Sequence, residues 1–122
     1  MIQSEERKER LLLVGIRQQD GDDTEDSLIE LKELVETAGG EPVGMVIQNR
    51  EKMHPGTYVG KGKAEEIRTM LSEYQADGIV CDDELSPAQL RNLSDLLDTK
   101  VMDRTLVILE IFAMRASTSE GK

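Results

Sequence analysis

At 122 residues the chain is long enough to bury the core of one domain, so neither disulfides nor a structural metal is required. Its 15 basic and 25 acidic residues leave a formal net charge of −10, which excludes non-specific nucleic-acid binding by the surface as a whole. The single cysteine, Cys81, rules out a disulfide framework and points to a reducing, cytoplasmic compartment, and no apolar stretch approaches the roughly 20 residues of a membrane span.

Residues 1–10 form a charged arm without the apolar run of a signal peptide. Residues 11–104 then alternate strand and helix patterns. Leu11-Leu12-Leu13-Val14-Gly15-Ile16 is continuously apolar, as expected of a strand covered on both faces. The acidic turn Asp20-Gly21-Asp22-Asp23-Thr24 leads into a helix whose apolar positions are Leu28, Leu31, Leu34, Val35 and Ala38, closed by Gly39-Gly40. Pro42 to Gln48 reads as a second strand. A second helix carries Ala64, Ile67, Met70, Leu71 and Tyr74 on one face and stops near Asp77-Gly78. Ile79-Val80-Cys81 is a short third strand that runs into Asp82-Asp83-Glu84.

The third helix has the clearest start. Ser86 can cap it, Pro87 suits its first position, and Gln89 completes a capping box; Leu90, Leu93, Leu96 and Leu97 form its core face. Lys100-Val101-Met102 is a fourth strand, and Asp103 or Thr105 caps a fourth helix over Thr105 to Ala116, with Arg104 pairing to a nearby carboxylate. Four strands alternating with helices predict a small α/β, doubly wound sheet of mainly parallel strands in the order 2-1-3-4. Ligands of such sheets bind beyond the carboxyl ends of the strands. That rim holds Arg17 to Asp23, Gln48 to Val59, Asp82 to Ser86, and Asp103-Arg104.

The fourth helix is apolar nearly all round, through Leu106, Val107, Ile108, Leu109, Ile111, Phe112 and Ala113, and therefore expects burial on more than one side. Residues 105–122 are read as a terminal helix and the start of a linker to further protein. A fragment ending there should self-associate through helix 105–116.

Charge is unevenly spread. From Met1 to Gln48 there are five basic and twelve acidic residues, a balance of −7, whereas Asn49 to Lys63 holds Arg50, Lys52, Lys61 and Lys63 against Glu51 alone, a local +3. The stretch Gly56-Thr57-Tyr58-Val59-Gly60-Lys61-Gly62-Lys63 invites comparison with a Walker A loop. It fails, since three residues rather than four separate Gly56 from Gly60, and Gly62 stands where Ser or Thr must reach magnesium. What remains is a basic, glycine-rich loop before a helix, where free N–H groups and the helix dipole favour an anion, either a nucleotide phosphate or an RNA backbone. Arg50, Lys52, Gly60, Lys61, Gly62 and Lys63 are the candidate binding residues. The alternative is a simple turn with solvated lysines.

The carboxylates Asp82, Asp83 and Glu84, with Asp20, Asp22 and Asp23, suggest a magnesium-dependent receiver domain. Arg17, Gln18 and Gln19 stand where that chemistry needs an acidic pair, however, and no fifth strand supplies a lysine. His54 lies beside Pro55 without a nucleophile or base around it, Cys81 reads as a small core hydrophobe, and Tyr58, Tyr74 and Phe112 are too few to form a stacking platform. No catalytic or metal site is expected.

Three stretches resemble the HflX family of ribosome-associated GTPases. They are Tyr58-Val59-Gly60-Lys61-Gly62-Lys63-Ala64-Glu65-Glu66-Ile67, Asp82-Asp83-Glu84-Leu85-Ser86-Pro87-Ala88-Gln89-Leu90-Arg91-Asn92-Leu93, and Asp103-Arg104-Thr105 with Ile108 to Ala113 and Arg115-Ala116. Glu120-Gly121-Lys122 is similar to the family's run into its next segment, and Leu106 stands where the family usually has glycine. The resemblance implies an N-terminal domain followed by a helical hairpin and a GTPase domain. It also implies binding to the large ribosomal subunit and its RNA, and a part in splitting or rescuing ribosomes. GTP and magnesium would belong to the GTPase domain, whose motifs this chain lacks, so the fragment itself should not hydrolyse GTP; the resemblance also leaves room for ATP binding. Three roles remain open: a ribosome-docking and regulatory module, an adenine-nucleotide site at the strand ends, and an interdomain scaffold.

Overall fold

The run of buried residues from Leu11 to Ile16 lies at the centre of a parallel sheet. In the computed structural model, which describes residues 7–120, strands and helices alternate as β1 (Arg10–Arg17), α1 (Thr24–Thr37), β2 (Glu41–Asn49), α2 (Lys61–Glu73), β3 (Gly78–Cys81), α3 (Pro87–Leu97), β4 (Lys100–Asp103) and α4 (Arg104–Glu120). The strand order is β2-β1-β3-β4 and every pairing is parallel, as the sequence pattern predicts. The first six residues of the charged arm, and the Gly121-Lys122 end of the closing run, lie outside the described residues.

Alternation along β1 builds two cores. Leu11 and Leu13, with Val80, meet Leu28, Leu31 and Val35 of α1 and Val107 and Ile111 of α4. Leu12, Val14 and Ile16, with Val46, Ile79 and Cys81, meet Ala64, Ile67 and Leu71 of α2 and Leu93 and Leu97 of α3. Helices therefore cover both faces, and each fully buried Leu or Ile contributes about 1.5–3 kcal/mol. Leu90 and Leu96, expected in the α3 core face, pack only at its margin.

The helix ends follow local chemistry. Gly39 adopts φ +96° just beyond α1, the left-handed turn anticipated there. Around α3 the capping box is complete: Ser86 Oγ accepts the Gln89 N–H at 3.1 Å, and Gln89 Oε1 accepts the Ser86 N–H at 3.0 Å. Asp103 caps α4 by accepting the Leu106 N–H at 3.0 Å.

Edge strand β2 carries a bulge that the hydrophobic pattern does not reveal. Leu11 faces Pro42 but Leu12 faces Gly44, leaving Val43 as the extra residue. Tyr74, expected on the α2 core face, sits past the helix end and lays its ring on Gly44, where an added Cβ would come within 2.7 Å.

Helix α4 is covered on one side only among the described residues. Val107 and Ile111 are buried, whereas Leu106, Leu109 and Phe112 are 37%, 55% and 59% exposed. No helix among the described residues is long and apolar enough to cross a membrane.

Candidate functional site: a basic loop at the carboxyl ends of the strands

The segment joining β2 to α2 is tied down throughout. His54 and Tyr58 exchange backbone hydrogen bonds at 3.0 and 2.9 Å, closing a tight turn. Inside it, His54 Nδ1 accepts the N–H groups of both Gly56 (3.0 Å) and Thr57 (3.1 Å), so that nitrogen carries no proton. Helix α3 secures the turn from outside: Gln89 Nε2 donates to the His54 carbonyl at 3.0 Å, and Asn92 Nδ2 to the Gly56 carbonyl at 3.1 Å. One glutamine thus completes the α3 cap and holds the loop.

Tyr58 and Val59 turn inward and are fully buried in the α2–α3 core. The Tyr58 hydroxyl donates to Asp83 Oδ2 at 2.6 Å, just past the end of β3. Its backbone sits at φ +67°, a left-handed conformation that a bulky residue adopts only when its surroundings impose it. Burial and the neighbouring negative groups push the Tyr58 hydroxyl far above its ordinary pKa. Burial also pushes the Asp83 carboxyl up, with the bond from Tyr58 acting the other way. Cys81 is buried as a free thiol and, as expected of a core hydrophobe, burial drives its pKa up.

Beyond this plug lies the basic cluster. Gly60 begins α2 in an extended conformation and donates its N–H to Gln48 Oε1 at 2.9 Å, but no side chain caps the first turn. The Arg50 guanidinium lies directly on Gly60: an added Cβ would sit 2.6 Å from Nη1. Arg50 Nε also donates to the Lys52 carbonyl at 3.0 Å. Arg50 thus touches Gly60, the residue before exposed Lys61, and bonds the backbone of exposed Lys52. Gly62 lies in the same helical turn with nothing near its Cα side. Lys63 departs from the group, since it is mostly covered and its Nζ pairs with Glu66 at 3.1 Å. A shallow cleft of about 230 Å³ adjoins the cluster, with Arg17, Gln18, Asn49 and Arg50 on its walls.

Four acidic residues of the rim, Asp22, Asp82, Asp83 and Asp103, are bonded to protein groups. Asp82 Oδ1 accepts from Arg104 Nη2 at 2.6 Å, confirming a local carboxylate partner for Arg104. The same guanidinium also reaches the Ser27 carbonyl and hydroxyl and Glu30 Oε1, across 74 residues or more. Asp22 accepts from Thr24, Gln18 and Gln19, which holds its carboxyl below the usual range; the Thr24 hydroxyl is the main cause. Among the described residues, no group of three or more His, Cys, Asp or Glu could hold a metal ion.

Sequence reasoning picked out the basic residues but missed what positions them. His54 showed no catalytic neighbours in the sequence and Tyr58 no stacking platform, yet the two organise the loop. A signal was present: an apolar Tyr-Val pair inside a Gly- and Lys-rich loop must bury itself somewhere.

Comparison with known proteins supplies the lineage. Residues 25–113 match the family described as GTP-binding GTPase N-terminal. The GTPase HflX of Lacrimispora saccharolytica is 62% identical over 122 residues, which is all of this chain and 29% of that protein. The GTPase HflX of Caldanaerobacter subterraneus is 45% identical and that of Escherichia coli 44%, each over 114 residues, 93% of this chain and 26% of the relative. The chain thus spans less than a third of the length of these relatives. The crystal structure of an SsGBP–GDP complex shares the fold at a TM-score of 0.61 with 18% identity, covering 87% of this chain and 29% of that one. A structure of an SsGBP variant gives 0.60 and 20%, covering 84% and 32%. With most of its α/β body inside the family match, the chain belongs to the GTP-binding GTPase N-terminal family, as the N-terminal part of an HflX-type protein.

Proposed function

We propose that this domain is a ribosome-docking and regulatory module of an HflX-type GTP-binding protein, one that binds the large ribosomal subunit and acts in splitting or rescue. The observation that carries the reading is Arg50 held against Gly60 at the uncapped start of α2, with Lys52 and Lys61 exposed next to it in the chain, on a protein whose net charge is −10. A positive patch on a fixed backbone favours a polyanion in one orientation, since phosphate contacts fix position without reading sequence. The loop is already held by His54, Gln89 and Asn92, so little ordering entropy opposes docking. Lys63 contributes to the field around Lys61, although Glu66 partly neutralises it.

Docking is preferred to an adenine-nucleotide site because Tyr58 and Val59 fill the α2–α3 side of the strand ends. GTP and magnesium are assigned to the parts of the protein beyond this domain.

The test is co-sedimentation of the chain with purified large ribosomal subunits across a salt series. Phosphate contacts from Arg50, Lys52 and Lys61 predict a log–log slope of roughly −3, steeper where Lys63 adds a fourth, and Lys52→Glu/Lys61→Glu should abolish binding. Salt-independent binding, or binding unchanged in the variant, defeats the proposal. Absence of binding at low salt favours the scaffold role, and heat on titration with ATP would restore the nucleotide reading.

A further inference from the structure

Between β3 and the first turns of α3, residues 82–89 are gripped from two sides. On one side stands the start of α4. Arg104 Nη2 bonds Asp82 Oδ1 at 2.6 Å and its Nε the Asp82 carbonyl at 3.2 Å. Asp103, buried to 2% exposure, accepts the Leu85 N–H at 2.8 Å through one oxygen and caps α4 with the other. On the other side stands the basic loop, held through Tyr58 on Asp83 and His54 on Gln89. We infer that this segment is a mechanical link, by which the seating of α4 sets whether Tyr58 stays latched and the basic loop keeps its shape.

The latch has the makings of two states. Tyr58 holds a left-handed backbone against its own preference, so strain is released if the loop opens. Besides the turn's own bonds and those from Gln89 and Asn92, what opposes opening is the buried ring and its hydroxyl bond to Asp83, the neighbour of the residue that Arg104 grips. Displacing Asp82 moves the acceptor of Tyr58 directly. The connection from α4 to the loop runs through segment 82–89, by way of Arg104 on Asp82 and Tyr58 on Asp83. The outer face of α4 is open to contact through Leu109 and Phe112, so pressure on that face would reach Lys61 by this route. The link stands whether or not the loop docks on RNA.

Amide hydrogen exchange on the full 122-residue chain tests it. The Gly56, Thr57 and Tyr58 amides, all bonded within the turn, report the loop, and the Leu13 and Val14 amides report the core. Arg104→Met, and independently the milder Asp82→Asn, should speed exchange in the loop at least tenfold while the core stays protected. Tyr58→Phe should do the same, and combining it with Asp82→Asn should add little, because either change frees the same latch. Should Arg104→Met lose core protection, Asp82→Asn decides. Unchanged loop exchange in that variant, effects that multiply in the double variant, or core and loop exchange rising together each overturn the inference.

Discussion

Gly78 and Gly62 occupy opposite extremes of steric freedom. A Cβ on Gly78 would stand 2.6 Å from the Lys100 carbonyl oxygen, backbone of the neighbouring strand that cannot swing aside, whereas Gly62 has nothing within 4 Å. Gly78→Ala should therefore cost about 3 kcal/mol in urea unfolding, the upper range for overpacking. Gly62→Ala should add roughly 0.5–1 kcal/mol, because alanine suits a helix better than glycine; a destabilised Gly62→Ala would show that this position needs glycine for some other reason. Asp77 gives a pH signature. Its carboxylate accepts the Arg10 N–H at 2.8 Å and the Arg7 guanidinium at 3.1 Å, and the backbone bond chiefly holds its pKa below the ordinary 3.8. A depressed folded-state pKa means stability present above 3.8 and lost as pH falls through the lower folded value. Asp83, raised by burial, works in the opposite sense, its contribution fading as pH rises through its folded value. Asp77→Asn should thus flatten the loss of stability on acidification below the ordinary carboxylate value of 3.8, as read from chemical unfolding at each pH. An unchanged acid slope would remove Asp77 as its source.

At the level of the element, what lies close in sequence was legible and what lies far was not. The start of α3 follows from Ser86, Pro87 and Gln89 alone, and removing the cap by Ser86→Ala should cost about 1 kcal/mol in thermal or urea unfolding; no loss would mean the reciprocal Gln89 bond suffices. Strand order followed from alternation, since parallel neighbours need helical crossovers. The bulge at Val43 was invisible, because Pro42 to Gln48 is apolar enough to suit either register. Arg104 was expected to find a carboxylate, but its bonds to Ser27 and Glu30 depend on how α1 packs against α4, which no local pattern encodes. The candidate site divides in the same way. Its basic residues fall within one stretch, Arg50 to Lys63, and could be read directly, while Tyr58–Asp83 and Gln89–His54, 25 and 35 residues apart, emerge only when β3 lies beside β1.

For the whole molecule, the unbalanced feature is α4. One side carries Val107 and Ile111 into the core, and the other leaves Leu106, Leu109 and Phe112 facing solvent. An apolar helical stripe of this kind seeks cover. The chain should therefore self-associate with rising concentration in sedimentation velocity, and Leu109→Glu/Phe112→Glu should restore a monomer without lowering stability; a monomer at millimolar concentration would count against it. Such association should stay helix-to-helix and go no further. The extra residue at Val43 and the imide nitrogen of Pro42 spoil β2, the longer open margin of the sheet, as a template for another strand. A protein that displays a greasy helix while carrying a defective sheet edge can form reversible pairs without seeding fibres, and concentrated samples should remain clear and redissolve on dilution.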